Sequence, residues 1–403
     1  MRQRDRRARV AALRRRRGVN TPRVVVFCGL VALGACSGDD DPRSEAGAAT
    51  TVPAISMAVT TGPAAAGVAT TAVPATTSST TSPTTTVADQ DVPVATAAAP
   101  SAGCGAAATA AQPGQQQSTI LSSGAERSFY FHVPPAHDGV APLPLIVDFH
   151  GYSEGAEIHV LMSGLGPFGD EHGFVTITPQ GTGPVPRWDT TLGSPDLVFV
   201  GDLLDHAEAT LCIDTNRIFA AGLSNGAFMS SAVACAYADR VAAVAPVAGI
   251  RDVPGCAPAR PVPVVAFHGT ADGFVAYDGG LGEQALDLPA PDGSGRTLRE
   301  VGVQATPDAQ AAPIPAITEA WAARNGCSGQ ERETRVATDV AVLTYGCPVG
   351  AEVELYRVDG GGHSWPGSDF SAQVASIVGA TTFSIDADEV MWAFFQAHPL
   401  PAP

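Results

Sequence analysis

A chain of 403 residues is long enough for two domains, yet its composition is too uneven for length alone to count them. It carries 23 Arg and no Lys against 40 acidic residues, a formal charge of −17. Ten of the Arg fall within residues 1–23; from Cys36 onward 13 Arg face 39 acidic residues, a balance of −26. That balance argues against nucleic acid as a partner, because neutralising phosphate needs a basic patch, and it disfavours a polyanionic substrate.

In chain order, the Arg-rich start precedes an apolar run from Val24 to Ala35, and Leu33-Gly34-Ala35-Cys36 then places a Cys behind small residues. This is the order of a signal peptide, expected over residues 1–35. The run is about twelve residues, short of the roughly 20 that cross a bilayer. Its ending resembles the lipobox of bacterial lipoproteins. The resemblance implies a lipid anchor at Cys36 as the sole membrane contact; cleavage near Ala35 with a soluble product is the alternative. Residues 36–100 are rich in Ala, Thr, Pro and Ser, with runs such as Ala75 to Thr86, and lack apolar periodicity. Such a tract buries too little apolar surface to offset ordering, so a disordered tether is expected.

From Ser101 the texture changes to short apolar runs separated by Gly, Pro and Asp. Strands are expected at Ser128 to Val133, Leu143 to Phe149, Val175 to Thr178, Arg217 to Ala221, Val241 to Val247, Val262 to Phe267 and Val353 to Val358. Helices are expected at Leu197 to Leu211, Ala227 to Ala238, Ala316 to Asn325 and Ala387 to Ala397. Several strands are nearly continuous in Val, Ile, Phe and Ala, as in strands covered on both faces. The alternation implies an α/β domain over residues 101–403, with one mostly parallel sheet flanked by helices. The Gly- and Pro-rich stretch from Gly279 to Pro315 breaks this rhythm and is either a surface excursion or a cover over a site.

Gly222-Leu223-Ser224-Asn225-Gly226 lies between an expected strand and an expected helix. A Ser hydroxyl is a poor nucleophile unless exposed beside a base, and a sharp strand-to-helix turn between glycines supplies that exposure. Ser224 is therefore the candidate nucleophile. His363, in Gly360-Gly361-Gly362-His363-Ser364-Trp365 directly after a strand, is the candidate base, since imidazole accepts a proton near neutral pH. Asp272 follows another strand and is the candidate acid that orients the imidazole, with Asp278 as a rival. The order Ser224, Asp272, His363 is the chain order of α/β-hydrolases. The oxyanion hole is expected from the backbone N–H groups of Asn225 and Tyr152, the latter in His150-Gly151-Tyr152. His150 and His268 each precede a Gly at a strand end and read as structural. Trp365 either lines the substrate pocket or caps the core.

Six cysteines remain in the expected mature domain: Cys104, Cys212, Cys235, Cys256, Cys327 and Cys347. An even number in an exported chain suggests three disulfides, with connectivity open. None has the Cys-x-x-Cys spacing of a zinc or redox site, and no cofactor or metal is expected.

Together with Pro179-Gln180-Gly181, Trp188, Cys212-Ile213-Asp214, His268-Gly269-Thr270-Ala271-Asp272, Asn325-Gly326-Cys327 and Gly361-Gly362-His363-Ser364-Trp365-Pro366-Gly367, these motifs make residues 101–397 resemble the polyhydroxybutyrate depolymerase and feruloyl esterase family of secreted α/β-hydrolases. The resemblance implies Ser224, Asp272 and His363 as a triad and Tyr152 and Asn225 at the oxyanion hole. It also implies Trp188 and Trp365 at the substrate and the pairs Cys104–Cys212, Cys235–Cys256 and Cys327–Cys347. The family often has another residue where Tyr152 stands and Pro where Ala276 stands. The implied activity is exported hydrolysis of carboxylic esters, of hydroxyalkanoate or of feruloyl and acetyl type, with a substrate that is polymeric or small. A serine peptidase of the same fold, or a surface lipoprotein that only binds, are the competing readings.

Overall fold

The computed structural model describes residues 97–105, 112–305 and 312–401. The expected leader, Cys36 and all of the tether up to residue 96 lie outside those residues. In chain order the elements are β1 (Gly114–Ser122), β2 (Ala125–Val133), β3 (Leu143–Phe149), α1 (Ala156–Ser163), α2 (Leu165–His172), β4 (Val175–Pro179), α3 (Pro195–Thr210), β5 (Ile213–Leu223) and α4 (Asn225–Ala236). They continue with β6 (Ala243–Val247), β7 (Val264–Gly269), α5 (Ile314–Arg324), β8 (Ser328–Ala337), β9 (Val340–Gly346), β10 (Val353–Val358), α6 (Asp369–Gln373), α7 (Ala375–Val378) and α8 (Ala387–Ala397).

The ten strands form one sheet in the order β1-β2-β4-β3-β5-β6-β7-β10-β9-β8. The six central strands, from β4 to β10, run parallel; β1–β2 closes one edge and the β8–β9 hairpin the other, both antiparallel. This is the α/β-hydrolase fold. Because strand side chains alternate between faces, neighbours along one strand serve different cores. Leu145 and Val147 of β3, with Ile218 and Ala220 of β5, pack under α3, α4 and α5; Ile146, Phe219 and Ala221 face α1, α2 and α8 instead. In the second layer Phe219 stacks on Phe395 with ring centroids 4.4 Å apart, both fully buried. Truncating either to Ala costs about 3–5 kcal/mol.

The strands read from continuous apolar runs are present with ends shifted by a few residues. The edge strands β1, β8 and β9 were not expected. β8 reads Ser-Gly-Gln-Glu-Arg-Glu-Thr-Arg-Val-Ala and is exposed along nearly its whole length, so no apolar alternation betrays it. Pairing with β9 makes it a strand. The helices α1 and α2 are only eight residues each, bounded by glycines, and too short to show a helical period.

The boundary of the folded unit lies earlier than Ser101. Ala99 N–H donates to Asp214 Oδ1 (2.9 Å), Thr215 N–H donates to Ala99 O (2.8 Å), and Asn216 Nδ2 reaches Ala97 O (2.9 Å). The disulfides are Cys104–Cys212, Cys235–Cys256 and Cys327–Cys347. The first ties this N-terminal segment to the start of β5. The third closes the base of the β8–β9 hairpin, which pairs with β10.

Candidate active site

Parallel strands present all their C-terminal ends at one edge, and the ends of β3, β5, β7 and β10 carry the chemistry-bearing residues. Ser224 follows β5 as the residue before α4, with φ 57° and ψ −116°, a backbone state that L side chains rarely adopt. Close packing enforces this turn. A Cβ on Gly226 would collide with Phe149 O, and one on Gly222 would stand 2.7 Å from Phe149 O and from the Gly226 carbonyl. With α4 this close to β3, the strand-to-helix turn has no room to relax. Ser224 stays partly exposed at its apex.

Asp272 sits in the loop after β7 and His363 in the loop after β10. His363 Nδ1 and Asp272 Oδ2 are 2.7 Å apart, with both residues 6% exposed. Asp272 Oδ1 accepts from Phe274 N–H (2.8 Å) and Val275 N–H (2.9 Å), so the carboxylate is held at both oxygens. Burial pushes this carboxyl up, but the His363 imidazole and the donors around it outweigh burial and hold it below its ordinary value. The glycine run before His363 is a packing requirement: a Cβ on Gly361 would strike Val358, and one on Gly362 would strike Val378 O. Phe274 packs on the imidazole with ring centroids 4.9 Å apart. Asp278 is exposed and takes no part. Ser224 Oγ makes no hydrogen bond among the described residues.

The loop after β3 completes the edge. A Cβ on Gly151 would stand 3.6 Å from Ser224 Cβ, which puts the Gly151–Tyr152 peptide against Ser224. Among the described residues neither Tyr152 N–H nor Asn225 N–H has an acceptor; for Asn225 this is the ordinary condition of a helix's first N–H. His150 is structural: Gly181 N–H donates to its Nε2 (2.9 Å), so Nδ1 carries the proton and donates to Gly151 O (2.7 Å). Burial lowers its pKa to about 4. His268 Nε2 donates to Val275 O (2.9 Å), and burial lowers its pKa as well.

No family model matches the chain. Feruloyl esterase D of Neurospora crassa is 30% identical over 280 residues, which cover 66% of this chain and 83% of that protein. The chain belongs to the feruloyl esterase family. Feruloyl esterase B of Piromyces equi is 31% identical over 42% of this chain, and poly(3-hydroxyalkanoate) depolymerase C of Paucimonas lemoignei is 30% identical over 33% of it. The chain spans only 29% and 34% of those two relatives' own lengths.

Two expectations for this feruloyl esterase family member need correction. Trp188 and Trp365 do not face a substrate: they are 4% and 1% exposed, because each indole is part of a core. Trp188 packs on Phe149 and donates to His150 O (2.9 Å), and its backbone is gripped by the Asn225 side chain, with Trp188 N–H to Asn225 Oδ1 at 2.7 Å. Trp365 donates to Asp388 Oδ1 (2.8 Å) in the opposite layer. The excursion from Gly279 to Pro315 does reach the site's rim: Tyr152 Oη donates to Pro289 O (2.8 Å) and Arg187 reaches Pro291 O (3.2 Å).

Sequence reasoning missed one cluster altogether. His159 on α1, with no exposed side-chain surface, lies between Asp148 on β3 (Nε2 to Oδ1, 2.8 Å) and Glu154 (Nδ1 to Oε1 and Oε2, both 3.2 Å). Asp148 stands two positions before His150 and Glu154 five before His159, so no spacing in the sequence marks them as a group.

Proposed function

We propose that this protein is a serine hydrolase of carboxylic esters that works through an acyl-Ser224 intermediate. The observation that carries this reading is the Asp272–His363 pair at 2.7 Å on the same sheet edge as a serine held at φ 57°. His363 Nε2 takes the Ser224 proton as Oγ attacks the ester carbonyl, and returns it to the departing alcohol; Asp272 fixes the imidazole's tautomer and stabilises its cation. Tyr152 N–H and Asn225 N–H receive the negative charge that develops on the carbonyl oxygen. Water then releases the acid by the same route.

The family's members point to esters of feruloyl, acetyl or hydroxyalkanoate type as the substrate class. Residues 1–35 serve as an export signal, Cys36 as a lipid anchor, and the segment that follows as a tether holding the catalytic domain at the cell surface. Three disulfides suit such an oxidising location.

Labelling of the purified protein with a fluorophosphonate tests the mechanism. An adduct on Ser224 is expected, and Ser224→Ala should lower ester turnover by at least about a hundredfold. A folded wild-type protein that takes no label at Ser224 would sink the reading.

A further inference from the structure

A peptide unit is planar and trans, so the C=O of one residue and the N–H of the next point in opposite directions. Fixing Gly151 O therefore fixes Tyr152 N–H. Two donors hold Gly151 O, His150 Nδ1–H at 2.7 Å and Glu154 N–H at 3.3 Å. The preceding peptide is held too, because Gly151 N–H donates to Glu154 Oε2 at 2.5 Å. Glu154 is thus bonded to both sides of Gly151, and whatever holds Glu154 holds the direction of Tyr152 N–H.

What holds it is His159. Its Nδ1 meets both Glu154 oxygens at 3.2 Å, and its Nε2 meets Asp148 Oδ1 at 2.8 Å, on the strand that leads into the loop. The side chains of Asp148 and His159 are 1% and 0% exposed and that of Glu154 10%. Burial alone would discharge the imidazole, yet the Asp148 and Glu154 carboxylates outweigh it and raise its pKa to about 10. The Trp365 ring stands edge-on to His159 with centroids 5.9 Å apart, so the loop that carries His363 abuts the same cluster. A buried ionic triad is a poor device for stability, since well-packed apolar residues of the same volume do as well or better. What the triad supplies and apolar residues cannot is a fixed hydrogen-bond acceptor beneath Gly151.

We propose that Asp148, His159 and Glu154 are positioning residues: a buried ionic brace that aims the Tyr152 N–H at the oxygen of the ester attacked by Ser224. The inference rests on the serine esterase reading. The brace touches no substrate and acts only through the Gly151–Tyr152 peptide.

The test compares full-length wild type with Glu154→Gln, which keeps the size and one acceptor oxygen but loses the charge, and with His159→Gln. Turnover of p-nitrophenyl acetate is expressed per site titrated with a fluorophosphonate, so that misfolded protein drops out. With oxyanion donors contributing about a hundredfold or more each, a misaimed one should lower kcat per titrated site about tenfold or more and leave KM within about threefold. The inhibition constant for phenylboronic acid, whose adduct is tetrahedral and anionic, should rise by a similar factor. If Glu154→Gln keeps kcat per titrated site and phenylboronate inhibition within about twofold of wild type, the brace is merely structural and the proposal is overturned. Should His159→Gln fail to fold, Glu154→Gln decides alone. Wild type that takes no label would instead remove the serine reading on which the brace depends.

Discussion

Two buried carboxylate–imidazole pairs of this protein are nearly identical in length and opposite in character. Asp272 and His363 are 2.7 Å apart, and Asp148 and His159 are 2.8 Å apart. In the first pair only Nδ1 of the imidazole is bonded, and no acceptor occupies Nε2 among the described residues. In the second both nitrogens meet carboxylates and the side chain is sealed. A carboxylate beside a histidine therefore does not make a base. A base needs one nitrogen left for a reacting proton, and its place on the sheet edge decides that. The second histidine, with both nitrogens engaged, can only be a cation that holds its neighbours.

The sharpest way to break this contrast is to neutralise each acid in turn. Asp272→Asn should lower kcat by about a thousandfold or more, because the amide favours the wrong tautomer of the proposed base. Asp148→Asn should cost about a hundredfold or less, since its partner moves no proton in the reaction. Steady-state kinetics of both variants on one p-nitrophenyl ester measure the ratio, and equal losses would erase the distinction.

Stability against pH separates the histidines further. His159 has a folded pKa raised from 6.5 to about 10, so its contribution is complete below pH 6.5 and is lost as the pH climbs through about 10. His150 is lowered from 6.5 to about 4, so folding must exclude a proton there and stability falls as the pH drops from 6.5 toward 4. Thermal melts should show the gap between wild type and His159→Gln narrowing by several degrees between pH 6.5 and 10. A gap that widens over that range would contradict the charged brace.

The smallest effect concerns the rim. Tyr152→Phe removes the hydroxyl that donates to Pro289 O and keeps the backbone N–H. Losing one hydrogen bond of about 1 kcal/mol should speed local opening of Leu288 to Val303 about fivefold. Amide hydrogen exchange across that segment is the measurement, and unchanged protection would show that the excursion is held by other contacts.

Much of this was legible in the residues themselves. Continuous apolar runs announced β3, β4, β6 and β7, because strands covered on both faces have no polar side to interrupt them. The glycines on either side of Ser224 and Gly362 before His363 were legible for a related reason: backbone lying against backbone excludes every side chain, and only Gly meets that demand. The exposed β8 was not legible, since its strand state comes from the hydrogen bonds of β9 and leaves no mark in composition. Trp188 and Trp365 misled for the opposite reason: an aromatic beside a catalytic motif looks the same in sequence whether it faces the cleft or the core. The linear order of residues determined that the chain is an α/β-hydrolase and which serine, acid and histidine to consider. Only the tertiary structure decided which histidine has a free nitrogen and which acids share a histidine, because Asp148, Glu154 and His159 meet only when α1 folds back against β3.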